Sequence, residues 1–352
     1  MQALVVSFEN GNLKPNLENL IPPICKDNEV LIEVSKTGIC GSDFHLFSKK
    51  GFSGAQTFPQ IIGHEFSGRI VHMGNCVTGF CIGDYVASES VVTCGKCKEC
   101  NILNEYNCNN ADLIGFTKPG AFAEYICIDF HHVHTINSLI EKYGKEKGLL
   151  LGTILEPLGC AFKSIFLVNK NHDFDNKNFI IFGAGPIGLG AVWLLSTMTS
   201  ANIFLVDEVA SRLERARNMR CKTICEHISE EFINSGKLPK ADFLFETSGV
   251  SVDLDCIVPA LFNSNATMIY IARNGVKIRA SMDTFVSNDF TLIGSRGHRK
   301  SFPSLIKIML NVKIDNLLDI VESKQISLND LPQVLVDSEN LYKGKIIVNI
   351  KS

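Results

Sequence analysis

The chain has 352 residues, 45% of them hydrophobic and 20% charged, with a formal net charge of −3. That length exceeds what one hydrophobic core usually serves, so two domains are expected. The small net charge gives no electrostatic reason for a nucleic-acid or anionic-membrane partner. With no signal-type N-terminus and no apolar run of about 18 residues, the chain reads as cytoplasmic with no membrane partner.

Up to about residue 135, the stretches EVLIEVSKTGI, FSGRIVHMG, GDYVASESVV and AFAEYICIDF are short, apolar and punctuated by glycine, the pattern of an antiparallel β-rich domain. Within it, GICGSDFH (38–45) and GHEFSGRIVHMG (63–74) bring a soft ligand, Cys40, and a borderline one, His64, from a turn and a strand. Thirteen cysteines in such a chain read as metal ligands, catalytic groups or buried thiols rather than disulfides. Four of them, Cys94, Cys97, Cys100 and Cys108, have the spacing C-x2-C-x2-C-x7-C. Four soft thiolates with none left open match a closed, tetrahedral structural zinc site, with an iron–sulfur cluster as the alternative. In FHHVH, alternation puts His132 and His134 on one strand face and His131 on the other, and none is expected to serve chemistry.

From about 150 to 293, apolar strands alternate with amphipathic helical stretches, which specifies a doubly wound parallel sheet. At its start, LEPLGCAF (155–162) holds two competent ligands, Glu156 and Cys160, one helical turn apart, with Pro157 in the first turn. Geometry does not choose between them. FIIFGAGPIGLG then sets Gly183, Gly185 and Gly188 as G-x-G-x-x-G between a strand and a helix. These glycines permit a tight turn, close approach of a pyrophosphate, and close helix–strand packing, with Pro186 and Ile187 in the same cofactor-binding turn. Asp207, nineteen residues after Gly188, ends the next strand. A carboxylate there accepts from an adenosine ribose and repels a 2′-phosphate, which favours NAD over NADP. Arg212, Arg215 and Arg217 follow and read as the exposed face of a helix. After the fifth strand comes IARNG, with Arg273, and after the last comes GSRGHRK, with Arg296, His298, Arg299 and Lys300. A helical SFPSLIKIML and a closing strand KGKIIVNI end the chain; there is no internal repeat.

The motif order G-H-E-x2-G-x5-G, GDYV, the four-cysteine lobe, the glycine-rich turn and the KGKIIV ending together resemble the zinc-dependent medium-chain dehydrogenases, in the alcohol and polyol dehydrogenase family. The resemblance implies an α/β protein, with a GroES-like β-rich catalytic domain (1–155, completed by 297–352), a Rossmann domain (156–296), and an active site in the cleft between them. It implies one catalytic and one structural zinc per chain, NAD as cofactor, and a homodimer or homotetramer. Cys40 and His64 would ligate the catalytic zinc, Glu65 would enter its sphere or sit just outside, and Asp43 would orient His64. Ser42 and His45 match the family's proton relay. A zinc with one open position acidifies a bound alcohol, and histidine titrates near working pH, so it suits the relay.

Similarity to the E-P-L branch assigns the third ligand to Glu156 rather than Cys160, and with it a polyol, sugar acid or cyclitol rather than a simple alcohol. Arg296 resembles the arginine of G-S-R members, where the segment approaches the nicotinamide and the substrate; a guanidinium there would suit an acidic polyol. Arg273 departs from the V-G-x-G turn usual in the family. Two other readings stay open: an amino-alcohol or threonine-type dehydrogenase with the same motifs, and a non-catalytic nucleotide-binding regulator.

Overall fold

The computed structural model describes residues 1–47, 57–101, 107–168, 174–272, 277–298, 300–321, 325–337 and 344–351. The chain divides into two compact units. One comprises Met1–Gly159, Arg299–Val312 and Val321–Ser352; the other comprises Cys160–His298 and Lys313–Ile320. Among the described residues no single helix is long and apolar enough to cross a membrane.

The first unit rests on antiparallel pairing around the strand Glu29–Gly38. Val30, Ile32 and Val34 alternate along it into a core shared with Phe66, Ile70, Val86 and Phe122. The strand pairs with Glu65–Met73 over most of its length and with Tyr125–Asp129 and Ile347–Asn349 at its two ends. The register matters for the site. Gly38 lies opposite both Glu65 and Ile347, so Cys40, His64 and Lys345 all emerge at one end of the sheet. Gly63, at φ +90°, precedes His64, and a Cβ there would lie 2.7 Å from the Phe122 ring. Only glycine meets both conditions.

Besides the short parallel pair Val252–Asp253 and Ile278–Arg279, the second unit carries, among the described residues, a sheet of six strands paired in parallel. Their spatial order is Lys222–Cys225, Asn202–Asp207, Asn178–Phe182, Ala241–Glu246, Phe262–Tyr270 and Thr291–Gly294. In chain order this is the 3-2-1-4-5-6 doubly wound arrangement, which binds ligands at the carboxyl ends of its strands. The first strand is buried on both faces, as its continuous apolar run dictates.

One expectation is corrected here. The tail does not return wholly to the first unit, because Lys313–Ile320 belongs to the second. Buried Ile314, Leu317 and Ile320 anchor it there, and polar contacts add to them: Arg215 Nη1 donates to the Asp319 carbonyl (2.9 Å), and Asn316 Nδ2 donates to the Asn218 carbonyl (2.6 Å). The boundary near residue 155 also moves, leaving Glu156 in the first unit.

Candidate active site

Cys40 stands at the entry of the short helix Gly41–Phe47. Asp43 Oδ2 accepts the Cys40 backbone N–H at 2.9 Å, which closes the turn that presents the thiol. One donor atom each from Cys40, His64 and Glu65 lies within 4.8 Å of the other two. Asp43 Oδ1 sits 3.8 Å from His64 Nδ1. Both atoms are buried without a hydrogen-bond partner among the described residues. Ser42 and His45, three residues apart and partly buried, share one face of the same helix.

The groups of this cluster act on one another electrostatically. Burial opposes the imidazolium form of His64. Even so, the Cys40 hydrogen bond and charge, together with the Asp43 and Glu156 carboxylates, carry its pKa well above the usual imidazole value. Burial raises the Asp43 carboxyl to about 6, partly offset by His64. A set of sulfur, nitrogen and oxygen donors, with His64 and Glu65 buried and Cys40 partly so, suits a divalent ion of borderline softness such as zinc.

Glu156, in the first turn of the helix Leu155–Val168, is buried and bears on both His64 and Lys345. It stands outside the tight three-residue set. Its Oε1 accepts from Ser90 Oγ at 2.9 Å. Cys160, four residues on, is partly exposed and falls in the second unit.

Lys345 carries a role the sequence reading missed. Its buried ammonium donates to Glu65 Oε1 (2.8 Å) and to the Ile39 carbonyl (2.9 Å), and lies 2.7 Å from Glu65 Oε2. Burial opposes its charge, but Glu65, Cys40 and Glu156 hold its pKa above the ordinary lysine value. Gly38 lies beneath this pair; a Cβ there would come within 2.4 Å of Glu65 Oε2. The signal available in the sequence was a lysine at the head of the closing strand, one residue outside its apolar run.

In the cysteine lobe, Cys94, Cys97, Cys100 and Cys108 converge with all sulfurs within 4.8 Å. Sulfur–sulfur separations of 3.4, 3.6 and 3.9 Å are recorded. Zn–S bonds of about 2.3 Å in a tetrahedron imply edges of about 3.8 Å. The spacing fits one ion, whereas a multi-iron cluster would spread the sulfurs wider. Backbone N–H groups of Lys96 and Cys97 bring the Cys94 thiol down to about 6, toward the thiolate a metal needs.

The glycine-rich turn has the shape a pyrophosphate needs. Gly183 adopts φ +97°, and a Cβ on Gly188 would strike the Gly183 carbonyl at 1.9 Å. A Cβ on Gly185 would meet nothing within 4 Å, which leaves open space at the N-cap of the helix Pro186–Met198, with Pro186 and Ile187 in its first turn. Asp207 accepts from the Ala184 and Val209 N–H groups, both at 2.8 Å, with Arg212 Nη1 3.9 Å away. A carboxylate with two acceptors engaged retains capacity for a ribose hydroxyl. Arg215 and Arg217 are engaged elsewhere, with Asp319 and Glu214. Arg296 is exposed and His298 buried; Arg273 and Arg299 lie outside the described residues.

The histidine run differs from the expected strand. Phe130–His132 is a 3-10 turn capped by Asp129, whose Oδ1 accepts the His131 N–H (3.0 Å), and only Val133–Thr135 is extended. His131 is an exposed partner of Asp129, whereas His132 and His134 close on the buried Glu89.

Residues 26–138 match the family model of the alcohol dehydrogenase GroES-like domain. The chain is 29% identical over 350 residues to the scyllo-inosose 3-dehydrogenase of Thermotoga maritima, covering 94% of this chain and 87% of that one. It is 34% identical over 278 residues to an L-threonine 3-dehydrogenase of Caldanaerobacter subterraneus subsp. tengcongensis, covering 77% and 74%. A solved structure of a putative alcohol dehydrogenase from Thermotoga maritima superposes with a TM-score of 0.84 at 26% identity, over 96% of this chain and 90% of that one.

Proposed function

The chain belongs to the zinc-type medium-chain dehydrogenases, oxidoreductases acting on CH–OH groups, and from that premise we propose that it oxidises a secondary alcohol of a polyol, sugar acid or cyclitol with NAD as acceptor. The observation that carries this is the convergence of Cys40, His64 and Glu65 donors within 4.8 Å, with the charge of the buried Glu156 carboxylate felt at His64.

In this reading Cys40, His64 and Glu156 hold the catalytic zinc, and Cys94, Cys97, Cys100 and Cys108 hold a structural one. When bound, the catalytic ion supplies Lewis acidity that makes a hydroxyl easier to deprotonate, and NAD supplies the hydride acceptor. The remaining work falls to the chain itself. Asp43 orients the His64 ring, and Lys345 keeps Glu65 paired. Ser42 takes the hydroxyl proton and His45 passes it to solvent, a task suited to imidazole. Gly185 admits the pyrophosphate and Asp207 receives the adenosine ribose. Arg296, near the end of the second unit, favours a substrate bearing a carboxylate.

Support for a polyol or cyclitol comes from the name of the scyllo-inosose 3-dehydrogenase relative, which aligns over 94% of this chain. A second reading, oxidation of threonine at its hydroxyl, has support in the L-threonine 3-dehydrogenase at 34% identity. Initial rates of NAD reduction over cyclitols, polyols, sugar acids and L-threonine separate the two. Turnover confined to threonine would overturn the polyol reading, and faster turnover with NADP would overturn the role given to Asp207.

A further inference from the structure

We propose that Ser90 is a positioning residue for Glu156: its hydroxyl holds Oε1, so the second carboxylate oxygen is the one offered to the catalytic metal. This rests on the reading of Glu156 as a ligand. Ser90 and Glu156 are 5% and 7% exposed, so their 2.9 Å hydrogen bond is protected from solvent competition. A carboxylate fixed at one oxygen turns the other in a defined direction, as partners of ligating carboxylates do elsewhere.

Ser90 is itself held in place. Its carbonyl accepts from the Ile114 N–H (3.0 Å), and Val91 pairs with Leu113. On its other side, Glu89 donates its N–H to the His132 carbonyl (3.0 Å), and the same carbonyl receives Ser88 Oγ (3.2 Å). The Glu89 carboxylate lies 3.1 Å from His134 Nε2 and 3.8 Å from His132 Nδ1. Beyond it, the Thr93 N–H donates to His132 Nε2 (3.1 Å), immediately before Cys94. His132 is therefore a post between the segment that carries Ser90 and the cysteine lobe, which gives the FHHVH run a purpose without making it a metal site.

The test compares the full chain, its Ser90→Ala and Ser90→Thr variants and a Glu156→Ala control. Each is loaded with zinc and then challenged with a chelator, and each is substituted with cobalt for its visible spectrum. Ser90→Ala should release one ion about 10- to 100-fold more readily, with altered cobalt bands, while the cysteine-bound ion stays. Ser90→Thr, which keeps the hydroxyl, should behave like the parent. Unchanged metal retention and an unchanged spectrum in Ser90→Ala would overturn the proposal. So would an equal loss in Ser90→Thr, because packing rather than the hydroxyl would then be responsible. If Glu156→Ala retains both ions, the reading of Glu156 as a ligand fails as well; if only Ser90→Ala retains them, that reading stands and this inference alone fails.

Discussion

Lys345 and Glu65 form a buried ion pair, Nζ to Oε2 2.7 Å, although 280 residues separate them in the chain. The same ammonium donates to the Ile39 carbonyl, so one side chain ties the closing strand to the segment before Cys40 and to the residue after His64. Replacing Lys345 with Met leaves a carboxylate buried without its partner, a change that typically costs about 3–5 kcal/mol. Denaturant unfolding should show that loss, and adding Glu65→Gln should recover a large part of it. Equal stability of the single and double variants would show that the pair is not coupled.

Glu156→Ala should lose the catalytic metal and keep the cysteine-bound one, so metal analysis should fall from two ions per chain to one. Cys160→Ala should keep both and lose only packing, about 1 kcal/mol or less. The reverse pattern would transfer the ligand to Cys160 and the substrate class to simple alcohols.

Asp207→Ser removes the carboxylate proposed to receive the ribose and takes away the acidic neighbour 3.9 Å from Arg212. The ratio of kcat/KM for NAD over NADP should fall by about 10-fold or more, equivalent to about 1.4 kcal/mol. Because Asp207 also accepts the Ala184 and Val209 N–H groups, some loss of Tm should accompany the switch. An unchanged ratio would remove Asp207 from cofactor selection.

Arg296→Ala should raise KM for a sugar acid by about 10-fold, the scale of one charge-assisted hydrogen bond, and leave neutral polyols untouched. Kinetics on a matched acidic and neutral pair checks this. Equal effects on both substrates would make Arg296 a cofactor contact.

The Glu33 carboxyl is held below its usual range, first by the Lys351 hydrogen bond and also by Arg69. A depressed carboxylate adds stability above its unfolded pKa, and that contribution disappears as pH falls through the lower folded value. Acidification below about pH 4.5 should therefore cost the parent more than Glu33→Gln. Both partners are partly exposed, so the difference should be under about 1 kcal/mol. Parallel unfolding curves for the two proteins across that range would contradict it.

The parts legible in the sequence are those whose chemistry is local. The four cysteines lie within fifteen residues, and the glycine turn must occupy consecutive positions, so spacing alone announces both. Cys40 and His64 were legible because each sits in a short motif, and the strand register brings them to one end of the sheet. Lys345, Ser90 and His134 were not, because their partners lie 280, 66 and 45 residues away. Nothing in a lysine, serine or histidine taken singly says which distant carboxylate it will meet. The 313–320 segment escaped because its apolar set, Ile314, Leu317 and Ile320, is too short to say which unit it packs against; the polar contacts to Asn218 and Arg215 add to that burial.

Gly38 gives this arrangement an unexpected point of control. Its missing Cβ leaves the room in which the Glu65 carboxylate rests against Lys345. A single methyl group at position 38 obliges that carboxylate to shift, and donors of Cys40 and His64 lie within 4.8 Å of it. The position of a carboxylate beside the Cys40 and His64 donors thus depends on a residue that has no side chain.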